Sequence, residues 1–111
     1  MAGEKIDLKE IIKKYVQELK KRGIKPEQII LYGSYAKGKP HKGSDIDLVI
    51  VSSDLGKMHP LKELEFLSLA TKNINAPIEA LGYTPEEIKK KGSDSIFWDI
   101  IQKTGKVVYQ G

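Results

Sequence analysis

The sequence predicts an α/β (α+β) domain, a small mixed β-sheet flanked by helices. Three observations carry that prediction. Apolar runs rich in aliphatic and β-branched residues recur at 28–32, 45–51, 76–83 and 106–109, each of a length suited to a strand. Segments with apolar residues at i, i+3 and i+4 stand between them, the signature of helices that bury one side. Capping residues and glycine stops mark where those segments begin and end.

The first element is an amphipathic helix. Leu8, Ile11, Ile12, Tyr15, Val16 and Leu19 form its apolar stripe, while Lys9, Lys13, Lys14, Lys20 and Lys21 fall largely on the other side. Asp7 with Glu10 makes a capping box and Gly23 a stop. The lysine face is most simply a solvated surface, the alternative being a grip on a nucleic-acid backbone. Ile24-Lys25-Pro26 leads into the first strand, residues 28–32, whose core Ile29-Ile30-Leu31-Tyr32 suits a buried strand.

Gly33-Ser34 closes that strand, and Tyr35-Ala36-Lys37 would open a short helix. A strand-to-helix turn of Gly and Ser brings backbone close to a ligand and aims N–H groups outward, which suits phosphate. An ordinary tight turn with Ser as the N-cap is the plainer alternative. The loop that follows, residues 37–43, carries Lys37, Lys39 and Lys42. It is either an exposed polar loop or one that helps hold a polyphosphate. His41 has no assigned role.

Ser44 caps or braces the start of the next strand, which opens with Asp45-Ile46-Asp47 and runs into Leu48-Val49-Ile50-Val51. On a strand, i and i+2 share a face. Asp45 and Asp47 would therefore project side by side while Ile46, Leu48 and Ile50 pack on the other side. Two carboxylates held that close repel unless a cation lies between them. Magnesium is the natural one, because it accepts one or two carboxylates and completes its shell with water and phosphate oxygens. Two solvated acids at a strand end are the alternative.

Residues 53–58 are a linker, and His59-Pro60 opens a helix of about 14 residues by the length of its apolar pattern. Leu61, Leu64, Phe66, Leu67, Ala70 and Ile74 would supply its buried side. The run 76–83 is the next strand, with Pro77 tolerable near its start. Glu79 is its only charge. It is either a functional carboxylate or an edge-strand acid pointing to water. Thr84-Pro85-Glu86-Glu87 is a strong helix start, followed by a helix over 94–103 capped by Ser93 or Asp94. Phe97, Ile100, Ile101 and Trp98 form its packed side, and Gly105 stops it before a short strand at 106–109.

The stretch 31–52, with Gly33-Ser34, Ala36 and Gly38 followed by Ser44-Asp45-Ile46-Asp47-Leu48, resembles the signature of the DNA-polymerase-β-like nucleotidyltransferase superfamily. In size the chain is similar to the minimal nucleotidyltransferase branch, small domains that pair with helical HEPN-type proteins. The resemblance implies a polymerase-β-like fold, magnesium at one or two positions, and a third carboxylate on the strand after Asp-x-Asp. It gives Asp45, Asp47 and Glu79 the catalytic and metal-binding roles, although members usually carry Asp where Glu79 stands. It gives Gly33, Ser34, Lys37 and Ser44 the nucleotide, with Lys37 at a position where many members carry Arg. The implied reaction moves a nucleoside monophosphate, AMP from ATP, onto a hydroxyl acceptor, a tyrosine of a HEPN-type toxin. Two alternatives remain: a catalytically silent nucleotide- or partner-binding module, and transfer to a small molecule such as an aminoglycoside.

Composition bounds the rest. A chain of 111 residues suits one domain over 1–111 and buries roughly two thirds of its unfolded surface. No separate acceptor-binding domain is expected within that length, so another chain or a second copy of this one would bind the acceptor. The absence of cysteine excludes a disulfide framework or a thiolate metal site, and two separate histidines do not make a zinc site. No leader-like apolar core and no membrane-length apolar run is present, so a cytoplasmic protein is expected. Nineteen lysines and arginines against 15 acids give a formal net charge of +4. That suits an anionic ligand or an acidic partner, and nucleic acid is not expected.

Overall fold

One apolar stripe in the first 20 residues sets the first helix, and α1 spans Leu8–Lys21. The computed structural model describes residues 7–38, 43–91 and 96–111. Ile12, Tyr15, Val16 and Leu19 are buried, with Leu8 and Ile11 packed beside them, while the lysine face is exposed. The Asp7 side chain accepts the Glu10 N–H at 3.2 Å, which satisfies one of the helix's unpaired donors. At the far end Gly23 takes φ +82°, and the Ile24 N–H turns back to the Leu19 carbonyl at 3.0 Å, as a glycine stop requires.

Four strands form one sheet. β1 is Gln28–Tyr32, β2 Ile46–Val51, β3 Ile78–Tyr83 and β4 Lys106–Gln110, in the order β3-β2-β1-β4. β1 runs antiparallel to β2 and β4, whereas β2 and β3 are parallel, so the sheet is mixed as expected. Parallel neighbours need a crossover. It is built from a 3-10 turn, Ser53–Lys57, and helix α2, Pro60–Leu69. Two further helices, α3 (Pro85–Lys91) and α4 (Ile96–Thr104), join β3 to β4.

Both faces of the sheet are covered, which explains why β2 is apolar on both sides. Ile46, Leu48 and Ile50 join Ile29 and Leu31 against α1 and α2. Val49 and Val51 join Ile30 against Trp98 and Ile101 of α4. Ile46, Leu48, Val49 and Ile50 are each 0% exposed, worth about 1.5–3 kcal/mol apiece relative to an exposed side chain. The Tyr15 hydroxyl, buried in the first of these layers, donates to the Leu67 carbonyl at 3.0 Å and ties α1 to α2. Burial pushes its phenol pKa up.

Several expectations are corrected. The residues after Gly33 form successive turns and not a short helix, and the 53–58 linker contains the 3-10 turn. α2 has 10 residues where about 14 were expected. Its Leu67, with Ala70 and Ile74 beyond it, is buried, but Leu61 is 71% and Leu64 58% exposed. The helix lies over β3, the last strand of the sheet, with Glu63 and Leu67 close to Gly82, and it leaves Leu61 and Leu64 largely uncovered. Among the described side chains of α4, Trp98 and Ile101 are buried as expected, whereas Ile100 is 52% exposed. The side chain of Phe97 and the proposed caps Ser93 and Asp94 lie outside the described residues. The capping box at 84–87 forms in full: the Thr84 N–H donates to Glu87 Oε1 at 2.9 Å and the Glu87 N–H to Thr84 Oγ1 at 3.1 Å.

Candidate active site

The first two strands pair so that Tyr32, the last residue of β1, lies across from Asp47 of β2. The parallel pairing of β2 with β3 sets Asp47 beside Glu79. Register partners share a face of the sheet. Tyr32, Asp47 and Glu79 therefore make one row across three strands. They stand on the face whose interior is filled by Val49, Tyr83 and Trp98, the last two with ring centroids 5.7 Å apart. Asp45, two residues before Asp47, lies just ahead of the strand and is exposed.

The turn after β1 closes the row. Gly33 takes φ +76°, a conformation costly for any side-chain-bearing residue. A Cβ placed there would also drive into the Asp47 carboxylate, with Cγ only 3.2 Å away. The turn is pinned by the Lys37 N–H to the Gly33 carbonyl at 3.2 Å and the Gly38 N–H to the Tyr35 carbonyl at 3.2 Å. Ala36 is buried at its back. Among the described residues the amides of 34–36 form no hydrogen bond within the turn, and successive unused amides at a turn suit an anion. Ser34 is half-buried, Ser44 is buried and Lys37 is exposed. Lys39 and Lys42 lie outside the described residues.

Electrostatics tie the row together. Burial, and then the charge of Asp45, hold the Asp47 carboxyl above its usual range. The Tyr32 phenol is pushed up to about 12 by burial first, then by the charges of Asp47, Glu79 and Tyr83. It stays protonated through neutral pH and can donate a hydrogen bond into the acidic row. No described lysine or arginine forms an ion pair with Asp45, Asp47 or Glu79. An all-oxygen set of uncompensated carboxylates fits a hard divalent cation. Among the described residues, though, no three acid, histidine or cysteine side chains are gathered tightly enough to enclose an ion by themselves. Glu79 lies on the edge strand and is exposed.

Sequence reasoning missed Tyr32 as a member of this row. Its position before Gly33 was the available signal, but its neighbour across the sheet depends on a register that the sequence does not display. Tyr83, which acts on Tyr32, was likewise seen only as the end of a strand.

Comparison with known proteins bears on the fold and the family. A family model described as "Nucleotidyltransferase domain" matches residues 9–106. A solved structure described as a toxin–antitoxin with AMP-PNP superposes with a TM-score of 0.62 at 20% identity, over 89% of this chain and 73% of that one. A Sulfolobus solfataricus protein whose name proposes a nucleotidyltransferase matches with a TM-score of 0.64 at 16% identity, over 99% and 93%. A complex of tri-AMPylated Shewanella oneidensis HEPN toxin with MNT antitoxin matches with a TM-score of 0.55 at 15% identity, over 93% and 70%. At these identities the likeness is one of fold, the polymerase-β-like arrangement. None of the curated proteins compared with the chain matches it significantly.

Proposed function

The chain belongs to the nucleotidyltransferase domain family, and on that premise we propose that it moves AMP from ATP onto a tyrosine hydroxyl of a HEPN-type helical partner, in the role of an antitoxin. The observation that carries this reading is the row Tyr32, Asp47 and Glu79, with Asp45 two residues ahead and the Gly33 turn packed against Asp47. The fold-level likeness to a toxin–antitoxin with AMP-PNP and to a complex with an AMPylated HEPN toxin supports the choice of nucleotide and partner.

The chemistry follows from charge. ATP carries about four negative charges, which must be offset before an oxygen attacks its α-phosphorus. Asp45, Asp47 and Glu79 would hold one or two magnesium ions together with phosphate oxygens and water, so the protein need not enclose the metal alone. When bound, magnesium would lower the pKa of a coordinated hydroxyl and offset the charge of the leaving group. Gly33 and Ser34 would receive the phosphates on backbone amides, Ser44 would brace the start of the acidic strand beside them, and Lys37 would offset charge from the turn. Asp47 or Glu79 would accept the acceptor's proton as its oxygen bonds to the α-phosphorus. The bond from that phosphorus to the bridging oxygen then breaks and pyrophosphate leaves. β3 ends the sheet beside the row, so the acceptor side is open to a HEPN-type chain or to a second copy of this one.

A second reading rests on the exposure of Glu79 and the loose spacing of the acids: a module that binds nucleotide without transferring it. ATP labelled on the α-phosphate, magnesium chloride and a purified HEPN-type protein separate the two. Transfer predicts label on the partner, lost in a folded Asp45→Asn/Asp47→Asn variant. ATP binding without label under magnesium or manganese selects the silent module. Label from the double variant would remove the two aspartates from the reaction, and full activity in Glu79→Gln would move the third role elsewhere.

A further inference from the structure

A groove of about 350 Å³ runs between α1 and β4, on the face of the sheet away from the acidic row and at the opposite edge. Its floor is apolar: Ile12 and Val16 from the helix, Val108 and Tyr109 from the strand. Lys9, Lys13 and Lys20 line its helix side, and among the described residues none of the three forms an ion pair.

A strand normally alternates faces, so Val108 and Tyr109 should not both turn toward α1. They do because the β1–β4 register slips between Ile29 and Ile30: Ile29 pairs with Tyr109 and Ile30 with Val107, leaving Val108 as an extra residue. A bulge of this kind re-aims a side chain, and here both residues pack on the α1 side. β4 is also the last strand on its side of the sheet, so its outer N–H and C=O groups pair with no described strand. Val107, on that edge, is 53% exposed.

We propose that this groove and the β4 edge receive an acidic, extended polypeptide segment of a partner protein, which adds as a fifth strand. The two halves of the surface ask for one ligand. An open edge supplies main-chain hydrogen bonds to an added strand. On that strand every second side chain faces α1, where a glutamate lays its methylenes on the floor and sends its carboxylate to the lysine rim. Nucleic acid would use the lysines but not the strand edge. The site lies apart from the acidic row and stands whether or not nucleotide transfer occurs.

The probe is a fluorescein-labelled, end-blocked peptide of alternating glutamate and valine, titrated against the full chain by fluorescence anisotropy. Binding at about 0.05 M salt is expected, weakening at least about 10-fold at about 0.5 M as the Debye length falls from about 14 to about 4 Å. Lys13→Glu/Lys20→Glu, at two exposed positions, should weaken it by about 10-fold with an unchanged circular dichroism spectrum. Amide exchange at 106–110 should slow in the complex. No binding at low salt, or equal binding by the double variant, overturns the proposal. Oligouridine that binds through the same lysines and leaves exchange in β4 unchanged, while the peptide fails to protect it, overturns it in favour of a nucleic-acid surface.

Discussion

The carboxylate of Asp47 fills the space that a side chain on residue 33 would need. Gly33 is thus required twice, by its φ of +76° and by its neighbour. Gly33→Ala should cost about 1–2 kcal/mol from the backbone alone, and more as Asp47 is displaced. Urea denaturation should show a lower midpoint, and transfer of labelled AMP should fall at least as far as in Asp47→Asn. An unchanged midpoint would mean that the turn relaxes freely and that the packing against Asp47 sets nothing.

Asp47 has a folded-state pKa above that of an unfolded aspartate. The folded chain therefore holds a proton that the unfolded chain has released. This contribution to stability is full below the ordinary carboxylate range and lost as pH rises through the higher folded value. At neutral pH without metal, the charged carboxylate destabilises the fold, and Asp47→Asn should melt higher than the parent while losing transfer. Magnesium and nucleotide should reverse that order by stabilising the parent alone. Thermal melts at pH 4 and pH 7, with and without the ligand pair, check both signs.

Tyr32 is raised from 10.0 to about 12. Its contribution to stability is full below pH 10 and disappears as pH climbs through 12, so Tyr32→Phe should lose less stability across that window than the parent. Ultraviolet titration of the phenolates should show one fewer group ionising near pH 12. If the phenol steadies the acidic row, Tyr32→Phe should also lower kcat more than it raises KM. An unchanged kcat would leave Tyr32 as packing only.

The Tyr15 hydroxyl donates to the Leu67 carbonyl inside the core. Tyr15→Phe leaves that carbonyl without its donor and should cost about 1–3 kcal/mol. Nucleotide transfer measured well below the melting temperature should be unaffected, because the bond lies on the face of the sheet opposite the acids. Loss of activity in proportion to stability would show that the two faces are coupled.

Much of the fold was legible in sequence because local chemistry decided it. The stripe from Leu8 to Leu19, the Gly23 stop and the box at 84–87 each act within a few residues, and β1 spans 28–32 as expected. What local pattern could not show was which surfaces find a cover. Leu61 and Leu64 carry the same periodicity as Leu67, yet α2 sits over the edge strand β3 and only Leu67 of the three is buried. Ile100 stays exposed for a similar reason, since the strands over which α4 sits decide its buried side, whereas Trp98 and Ile101 are buried as expected. In the candidate site, the Gly33–Ser34 corner and the Asp45/Asp47 pair are visible as spacing. Tyr32 is not, because only strand register brings it opposite Asp47.

Mixed strand direction has a consequence for the order of folding. β1 and β2 pair across a single loop, so Tyr32 and Asp47 can meet early at a small cost in chain entropy. Glu79 can join only when the whole crossover lays β3 alongside β2, a longer-range closure that costs more chain entropy. Closure cost alone thus ranks the Tyr32–Asp47 pairing ahead of the Asp47–Glu79 pairing, and pulse-labelled amide exchange during refolding should show protection at 28–32 and 46–51 no later than at 78–83.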